Sequence, residues 1–204
     1  MCGIVAVVAR RDCTEILLEG LRRLEYRGYD SAGFALIDSH GTLASHKCLG
    51  RVAALEDAQR ASPKQGGTGI AHTRWATHGE PSVVNAHPHI VNDRIAVVHN
   101  GIIENHTALR EALAATGRKC VSATDTEVVA HLIDAAVSEG GDLLPAVQSV
   151  LSQLEGAYSL AVVNREAPDT IVVARQGSPL VLGVGIGENF AGSDTLALRS
   201  VTDT

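Results

Sequence analysis

The sequence predicts an α+β protein in which antiparallel sheets are covered by helices. Short segments rich in β-branched residues cluster towards both ends of the 204 residues, and segments with helical spacing form a block in the middle. A doubly wound parallel sheet requires strand and helix to alternate along the whole chain, so this grouping favours antiparallel pairing. No internal repeat or low-complexity tract interrupts the pattern.

The first half of the chain is predicted to be mainly strands. A β-branched strand over residues 4–9 precedes an amphipathic helix, for which Asp12 is the expected N-cap and Leu24 the end. A second helix is expected over 51–60, and further strands over 34–37, 42–48, 68–73 and 94–99, with a hairpin turn at 38–41. Residues 74–93 show little periodicity and several histidines, which is typical of a functional loop.

The second half is predicted to place helices before strands. Helical spacing covers residues 104–115, 126–137 and 143–154, with a break at Gly140-Gly141. Strands follow over 157–164, 170–175, 180–184 and 189–192, joined by turns that contain Pro168, Pro179 and Gly187. The glycines in residues 183–187 match only half of a dinucleotide-binding fingerprint, so we interpret them as a turn.

Composition excludes several classes of protein. A hydrophobic content of 45% supports a folded core of one large or two small domains. The net charge of −6, with dispersed Lys and Arg, provides no basic patch for nucleic acid or an anionic membrane surface. The apolar run near the start is too short to span a membrane. The four cysteines lack CxxC spacing and the density of a disulfide scaffold, which predicts a cytoplasmic location.

Cys2 is the first candidate for chemistry. Removal of Met1 before a small residue would leave Cys2 with both a thiol and an α-amino group. The amine, with a pKa of roughly 7.7 to 8.0, can accept the thiol proton near neutral pH, so no separate catalytic histidine is required. The alternative is a small cysteine that faces the core, because free cysteines are among the most buried residues.

Four separated motifs occur in a particular order: Cys2-Gly3-Ile4, Arg27-Gly28-Tyr29-Asp30-Ser31-Ala32-Gly33, His72-Thr73-Arg74-Trp75-Ala76-Thr77-His78-Gly79 and His99-Asn100-Gly101. Together they resemble the class II glutamine amidotransferases, and the resemblance spans the chain. Residues 24–30 and 72–89 are most similar to members that transfer ammonia to fructose 6-phosphate. The resemblance implies an N-terminal nucleophile (Ntn) hydrolase fold, a four-layer αββα sandwich of two antiparallel sheets.

The resemblance implies that the Asn100 side chain and the Gly101 amide form an oxyanion hole. Hydrolysis of an amide passes through a tetrahedral oxyanion, which needs hydrogen-bond donors directed at it. Local sequence alone leaves an ordinary Asn-Gly turn after a strand as the alternative. Arg27 and Gly28 are expected near the nucleophile as supporting residues, with an exposed arginine and a simple turn as alternatives.

Recognition of glutamine requires a cation for its carboxylate and an anion for its ammonium. By resemblance, Arg74 grips the carboxylate, with Thr77 and His78 beside it. The alternative for Arg74 is a surface salt bridge. The resemblance also implies that Trp75 lies on a mobile loop that closes over glutamine and gates ammonia passage. From the sequence alone, an aromatic side chain half-buried against the core is the alternative.

Asp125 is expected to hold the ammonium group of the substrate. Thr124 and Glu127 around it also match a capping box at the start of a helix. Both interpretations are compatible, because the cap can fix the helix end while the Asp125 carboxylate points into the pocket. Substitution of Asp125 is then expected to reduce binding more than folding.

The histidines raise the hypothesis of a metal site, with His87-Pro88-His89 as the tightest pair. Zinc ligands usually recur at helical or knuckle spacing, and neither HExxH nor paired CxxC is present. We therefore predict no metal and no cofactor. Most of six histidines are expected to be hydrogen-bonded loop residues: His72, His78, His87, His89, His99 and His106.

The expected reaction is hydrolysis of L-glutamine to glutamate and ammonia through a γ-glutamyl thioester on Cys2. Residues 1–204 are expected to form a glutaminase domain without the sugar isomerase region that, by resemblance, delivers ammonia to fructose 6-phosphate in a homodimeric enzyme. Three alternatives remain open: the glutaminase domain of another class II amidotransferase, a noncatalytic glutamine sensor, and a hydrolase of some other amide.

Overall fold

The computed structural model describes residues 2–76 and 79–202, which form two antiparallel sheets covered by helices. The larger sheet has six strands in the order β3-β2-β4-β1-β10-β9. These strands are β1 (Gly3–Ala9), β2 (Ser31–Ile37), β3 (Leu43–Leu49), β4 (Thr68–Arg74), β9 (Val181–Val184) and β10 (Glu188–Gly192). The smaller sheet has the order β5-β6-β7-β8. Its strands are β5 (His89–Val91), β6 (Ile95–Ile103), β7 (Gly156–Asn164) and β8 (Ile171–Gln176).

Helices cover the outer face of each sheet. The described α-helices are α1 (Thr14–Leu24), α2 (Val52–Ala61), α3 (His106–Ala115), α4 (Thr126–Ser138) and α5 (Leu143–Leu151). Two short 3-10 helices cover Glu25–Arg27 and Thr195–Ala197. None of these helices has the length and apolar character needed to cross a membrane.

Three layers of buried apolar side chains hold the four layers together. Leu17 and Leu21 of α1 pack with Val5 of β1 on the outer face of the larger sheet. A second cluster joins α4 and α5 to the smaller sheet. The third cluster fills the space between the sheets and includes Ile4 and Val98. Successive strand residues point to opposite faces, so Ile4 faces the other sheet while Val5 faces α1.

The element boundaries correct the sequence prediction at several places. β2 begins at Ser31 rather than at residue 34, and α5 ends at Leu151 rather than at residue 154. The N-cap of α1 is Cys13, and the Asp12 carboxylate accepts hydrogen bonds from the Thr14 hydroxyl at 2.8 Å and the Gly66 amide at 3.0 Å. Residues 89–91, predicted as loop, form β5, a strand too short for a periodic signal. The strand predicted to end at residue 99 continues to Ile103, and α3 begins only at His106.

Candidate active site

One pocket of about 310 Å³ collects most of the predicted site residues. Its lining includes Cys2, Arg27, Arg74, Trp75, Asn100, Gly101 and Asp125. Strands of both sheets therefore contribute to one cavity. Thr77 and His78, which were also predicted here, lie outside the described residues, as does Met1.

Cys2 immediately precedes β1 and is held against the end of β4. Its Sγ accepts a hydrogen bond from the Trp75 backbone N–H at 3.2 Å and lies 3.5 Å from the Trp75 carbonyl oxygen. The side chain is half-buried and lines the pocket, so the alternative of a core-facing cysteine is wrong. Burial raises the pKa of the Cys2 thiol, so the thiol needs a base to become a nucleophile near neutral pH.

Asn100 and Gly101 lie inside β6, where they pair with Ser159 and Tyr158 of β7. The Asn100 amide nitrogen Nδ2 donates a hydrogen bond to the Cys2 carbonyl oxygen at 3.1 Å. Gly101 has φ +123°, and a Cβ there would lie 2.0 Å from the Ala157 carbonyl oxygen. Only glycine fits this position, and the alternative of an ordinary Asn-Gly turn after a strand is wrong, because both residues lie within β6.

Arg74 is the last residue of β4, and its side chain is buried. Its Nη2 donates to the Gly79 carbonyl oxygen at 2.9 Å, and its Nη1 lies 3.8 Å from Asp30 Oδ1. The burial contradicts the alternative of a surface salt bridge. Arg74 instead presents a buried cation to the pocket, with Asp30 as a nearby anion.

The two predicted supporting residues occupy different positions. Arg27 lines the pocket, and its Nη1 forms an ion pair with Asp194 Oδ2 at 3.1 Å. The Arg27 side chain is only 7% exposed, so it is not the exposed arginine that was the alternative. Gly28 packs against the backbone of residues 74–75, where an added Cβ would meet the Arg74 carbonyl oxygen at 3.0 Å.

Asp125 is the N-cap residue of α4 and is buried. Its Oδ2 accepts a hydrogen bond from the Ile103 backbone N–H at 2.9 Å. The predicted capping box is only half-formed. Thr124 Oγ1 lies 3.4 Å from the Glu127 backbone nitrogen, but the Glu127 carboxylate accepts its hydrogen bonds from the backbone of residues 121–122.

Trp75 lies at the rim of the pocket, with 52% of its surface exposed. Its ring contacts that of Tyr29 edge-on, with 6.0 Å between centroids. Trp75 is therefore half-exposed beside the opening, a place from which an aromatic side chain can shield a bound substrate from water.

Of the predicted histidines that the structure describes, four are buried and hydrogen-bonded. Three of these lie in strands, so their predicted location in loops was wrong. His72, His89 and His99 belong to β4, β5 and β6, and the loop residue His87 stacks on His72 with 4.2 Å between ring centroids. Burial lowers the pKa of His72 and of His89 to about 3, so these rings are neutral near pH 7. His106 begins α3.

Several lining residues were not predicted from the sequence. They are His87, His99, Ile102, Thr124, Thr126, Ser178 and Pro179. Ser178 and Pro179 come from the connection between β8 and β9, far from every motif, and only the fold brings them here. Strand periodicity places His99 on the same face of β6 as Val97, a member of the cluster that joins the smaller sheet to α4 and α5. Its Nδ1 lies 2.8 Å from Thr126 Oγ1 at the start of α4.

Among the described residues, one group outside the pocket has metal-type ligand atoms within 4.8 Å of one another: Cys120, Glu127 and His131. Both carboxylate oxygens of Glu127 already accept backbone hydrogen bonds at 2.9 and 2.6 Å. The Glu127 side chain thereby closes the loop that leads into α4.

The sequence is similar to that of bacterial enzymes along nearly its whole length. It is 59% identical over 202 residues to the glutamine–fructose-6-phosphate aminotransferases (isomerizing) of Escherichia coli K12 and of Salmonella paratyphi A. The match covers 99% of this chain and 33% of each relative, so the chain spans about a third of their length. These relatives confirm the predicted likeness to members that act on fructose 6-phosphate.

Solved structures agree with the fold. The phosphoribosylpyrophosphate amidotransferase of B. subtilis, complexed with ADP and GMP, superimposes with a TM-score of 0.83 at 29% identity, over 97% of this chain and 43% of that one. A glutamine aminotransferase class-II domain protein of Silicibacter pomeroyi superimposes with a TM-score of 0.62 at 18% identity, over 94% of this chain and 87% of that one. These matches confirm the predicted four-layer fold. The profile of the glutamine amidotransferase domain matches residues 72–199, and the chain therefore belongs to this family.

Proposed function

We propose that Cys2 is the nucleophile with which this chain hydrolyses L-glutamine to glutamate and ammonia. One observation carries the assignment: the Cys2 thiol, the Asn100 amide and Gly101 line the same pocket, and Asn100 Nδ2 is held 3.1 Å from the carbonyl oxygen of Cys2 itself. A nucleophile and two candidate oxyanion donors are thus adjacent.

The proposed mechanism uses the α-amine that removal of Met1 would give Cys2. The amine takes the thiol proton as Sγ attacks the carboxamide carbon, and the resulting oxyanion is stabilised by Asn100 Nδ2–H and Gly101 N–H. The protonated amine then gives its proton to the departing ammonia, leaving a γ-glutamyl thioester. Water, deprotonated by the amine, attacks the thioester, and the thiol is restored as glutamate leaves.

Substrate selection is assigned to the charged residues of the pocket. The buried Arg74 guanidinium is proposed to bind the glutamine carboxylate, with Thr77 and His78 beside it, and the Asp125 carboxylate to bind the ammonium. Trp75 is proposed to close over the bound substrate.

Arg27 and Gly28 are proposed to support this arrangement. Arg27 connects the pocket to Asp194 through the ion pair, and Gly28 leaves room for the backbone that positions Arg74 and Trp75. Neither residue needs to touch the reacting atoms for this role.

In a full-length enzyme the ammonia is proposed to pass to fructose 6-phosphate, bound by a sugar isomerase region. The names of the relatives at 59% identity support this acceptor. A homodimeric full-length enzyme remains a prediction from the resemblance. A cytoplasmic location is proposed from the four free cysteines, since such thiols persist in reducing compartments.

The decisive experiment combines ammonia release with covalent labelling. A sample whose N-terminal residue has been sequenced as Cys should release ammonia from L-glutamine, and diazo-oxo-norleucine should label one thiol. Cys2→Ser should abolish the label, whereas Cys48→Ser, the matched half-buried control in β3, should retain it.

The same experiment separates the alternatives. Glutamine binding without turnover or label would support a noncatalytic sensor and contradict the proposal. Faster hydrolysis of asparagine or of acylated amines than of glutamine would instead identify a hydrolase of another amide.

A further inference from the structure

The imidazole of His72 lies directly behind Asn100. Its Nε2 is 3.0 Å from Asn100 Oδ1 and 2.9 Å from the His99 carbonyl oxygen. His72 belongs to the six-stranded sheet, whereas His99 and Asn100 belong to β6 of the four-stranded sheet. This contact therefore joins the two sheets behind the pocket, and the His72 side chain does not itself line the cavity.

The backbone carbonyl of His99 determines which His72 nitrogen carries the hydrogen. A carbonyl oxygen only accepts hydrogen bonds, so Nε2 must be the donor, since a bare Nε2 would place lone pairs against each other at 2.9 Å. The ring is neutral because burial lowers its pKa to about 3, and it therefore holds this one N–H hydrogen alone. Nδ1, for which no hydrogen-bond partner exists within residues 2–76 and 79–202, is then the unprotonated nitrogen.

The Nε2–H group in turn determines the orientation of the Asn100 amide. The amide oxygen must face the donor, and this turns the NH₂ end towards the Cys2 carbonyl oxygen, 3.1 Å away. The flipped amide would set NH₂ against Nε2–H and place its oxygen against the Cys2 carbonyl. Both contacts would be repulsive, so the flipped state is strongly disfavoured.

We propose that His72 is a positioning residue that holds the Asn100 amide with its NH₂ group directed at the oxyanion formed on glutamine. One Nδ2 hydrogen goes to the Cys2 carbonyl, and the second is directed at the developing charge. The inference rests on the proposed function, because it assigns a task to His72 only if Asn100 is an oxyanion donor. A donor fixed in advance costs no reorganisation when the charge forms.

Two polar substitutions separate this role from simple filling of space. In His72→Gln the side-chain amide nitrogen can reach the position of Nε2, whereas in His72→Asn it reaches only the position of Nδ1. We expect His72→Asn to lower kcat for glutamine by about 10²-fold, the loss typical of one missing oxyanion donor, and to change KM by less than about 3-fold. His72→Gln should keep kcat within about 10-fold of the unsubstituted protein.

A double-substitution cycle provides the test that a structural role would not pass. If His72 acts through Asn100, then adding His72→Asn to Asn100→Ala should lower kcat by less than about 3-fold further, because the donor is already missing. If the two substitutions lower kcat independently, so that their factors multiply in the double variant, the inference is wrong. Equal losses in His72→Gln and His72→Asn would also overturn it.

His89→Asn is the matched control, because His89 is also buried and its Nε2 forms a hydrogen bond with Thr124 Oγ1 at 2.9 Å. It should lower the thermal unfolding midpoint as much as His72→Asn does and leave kcat within about 3-fold. The pH profile of kcat should keep its shape in His72→Gln, since a neutral ring contributes no titration; a lost or shifted limb would contradict the inference.

The outcomes also separate this inference from the proposed function. If Asn100→Ala leaves kcat unchanged, Asn100 is not an oxyanion donor, and the proposed function loses that assignment. If Asn100→Ala lowers kcat by about 10²-fold or more while His72→Asn does not, only the role of His72 is wrong.

Discussion

The two sheets contribute to the pocket in different ways. The six-stranded sheet supplies groups at strand ends: Cys2 immediately precedes β1, and Arg74 is the last residue of β4. The four-stranded sheet supplies Asn100 and Gly101 from within β6, where both are paired with β7. The thiol of the proposed nucleophile thus lies beside the chain terminus, whereas the groups proposed to meet the developing charge lie where the backbone is fixed.

This comparison is tested most strongly by Cys2→Ala, which should remove turnover but not stability. Loss of a hydrolase nucleophile lowers kcat by a factor on the order of 10⁶. Cys2 is half-buried at a strand end, so the midpoint of thermal unfolding should change by less than about 2 °C. Ammonia release and calorimetry on the same sample measure both quantities, and a large loss of stability would contradict the interpretation that a half-buried residue at a strand end contributes little to stability.

Gly101→Ala should show the opposite behaviour, because it lies within the fixed strand. The backbone at φ +123° and the Ala157 carbonyl, 2.0 Å from the new Cβ, should reduce the free energy of unfolding by more than about 3 kcal/mol. Chemical denaturation would measure this loss. Gly117→Ala is the matched control, because its φ is also positive but nothing lies within 4 Å of the added Cβ. It should reduce the free energy of unfolding by less than Gly101→Ala does.

Arg74→Ala should affect substrate binding more than chemistry. Loss of a buried partner for the glutamine carboxylate should raise KM at least roughly 30-fold, which is equivalent to about 2 kcal/mol of binding free energy, with a smaller change in kcat. Arg60→Ala removes an arginine that is 70% exposed and should leave KM unchanged. Steady-state kinetics on both variants would contradict the assignment if the two values of KM were equal.

The buried histidines should make stability depend on pH. The pKa of His72 and of His89 is about 3 in the folded protein and about 6.5 in the unfolded chain, so the unfolded state binds more protons between these values. Stability is full above pH 6.5 and falls as pH decreases towards 3, by about 1.4 kcal/mol per pH unit for each ring. Denaturation at several pH values should show a shallower dependence of stability on pH in His89→Gln than in the unsubstituted protein.

Much of the fold was predictable because strands with two buried faces and amphipathic helices carry strong local patterns. The strand predicted over residues 157–164 is β7, and the helix predicted over 126–137 is α4, each within one residue at its ends. The three-residue β5 and the extension of β6 beyond His99 were missed, because pairing with another strand, not local sequence, defines them.

Pocket residues that belong to sequence motifs were predictable, whereas residues that only packing brings to the pocket were less so. Cys2, Arg74 and Asn100 stand in recognisable motifs and line one pocket. The contact between His72 and Asn100 joins residues 28 positions apart in different sheets, and Ser178 reaches the pocket from outside every motif. Such contacts depend on how the sheets are stacked, which a single sequence does not encode in its periodicity.

The most direct test of the central claim measures glutamine turnover against the fraction of chains that begin with Cys2. Samples with different degrees of Met1 removal would be quantified by intact mass and assayed for ammonia release. Turnover should rise in proportion to the processed fraction and vanish when Met1 is fully retained, because the base is then a peptide nitrogen. Undiminished turnover with Met1 in place would contradict the role of the free α-amine.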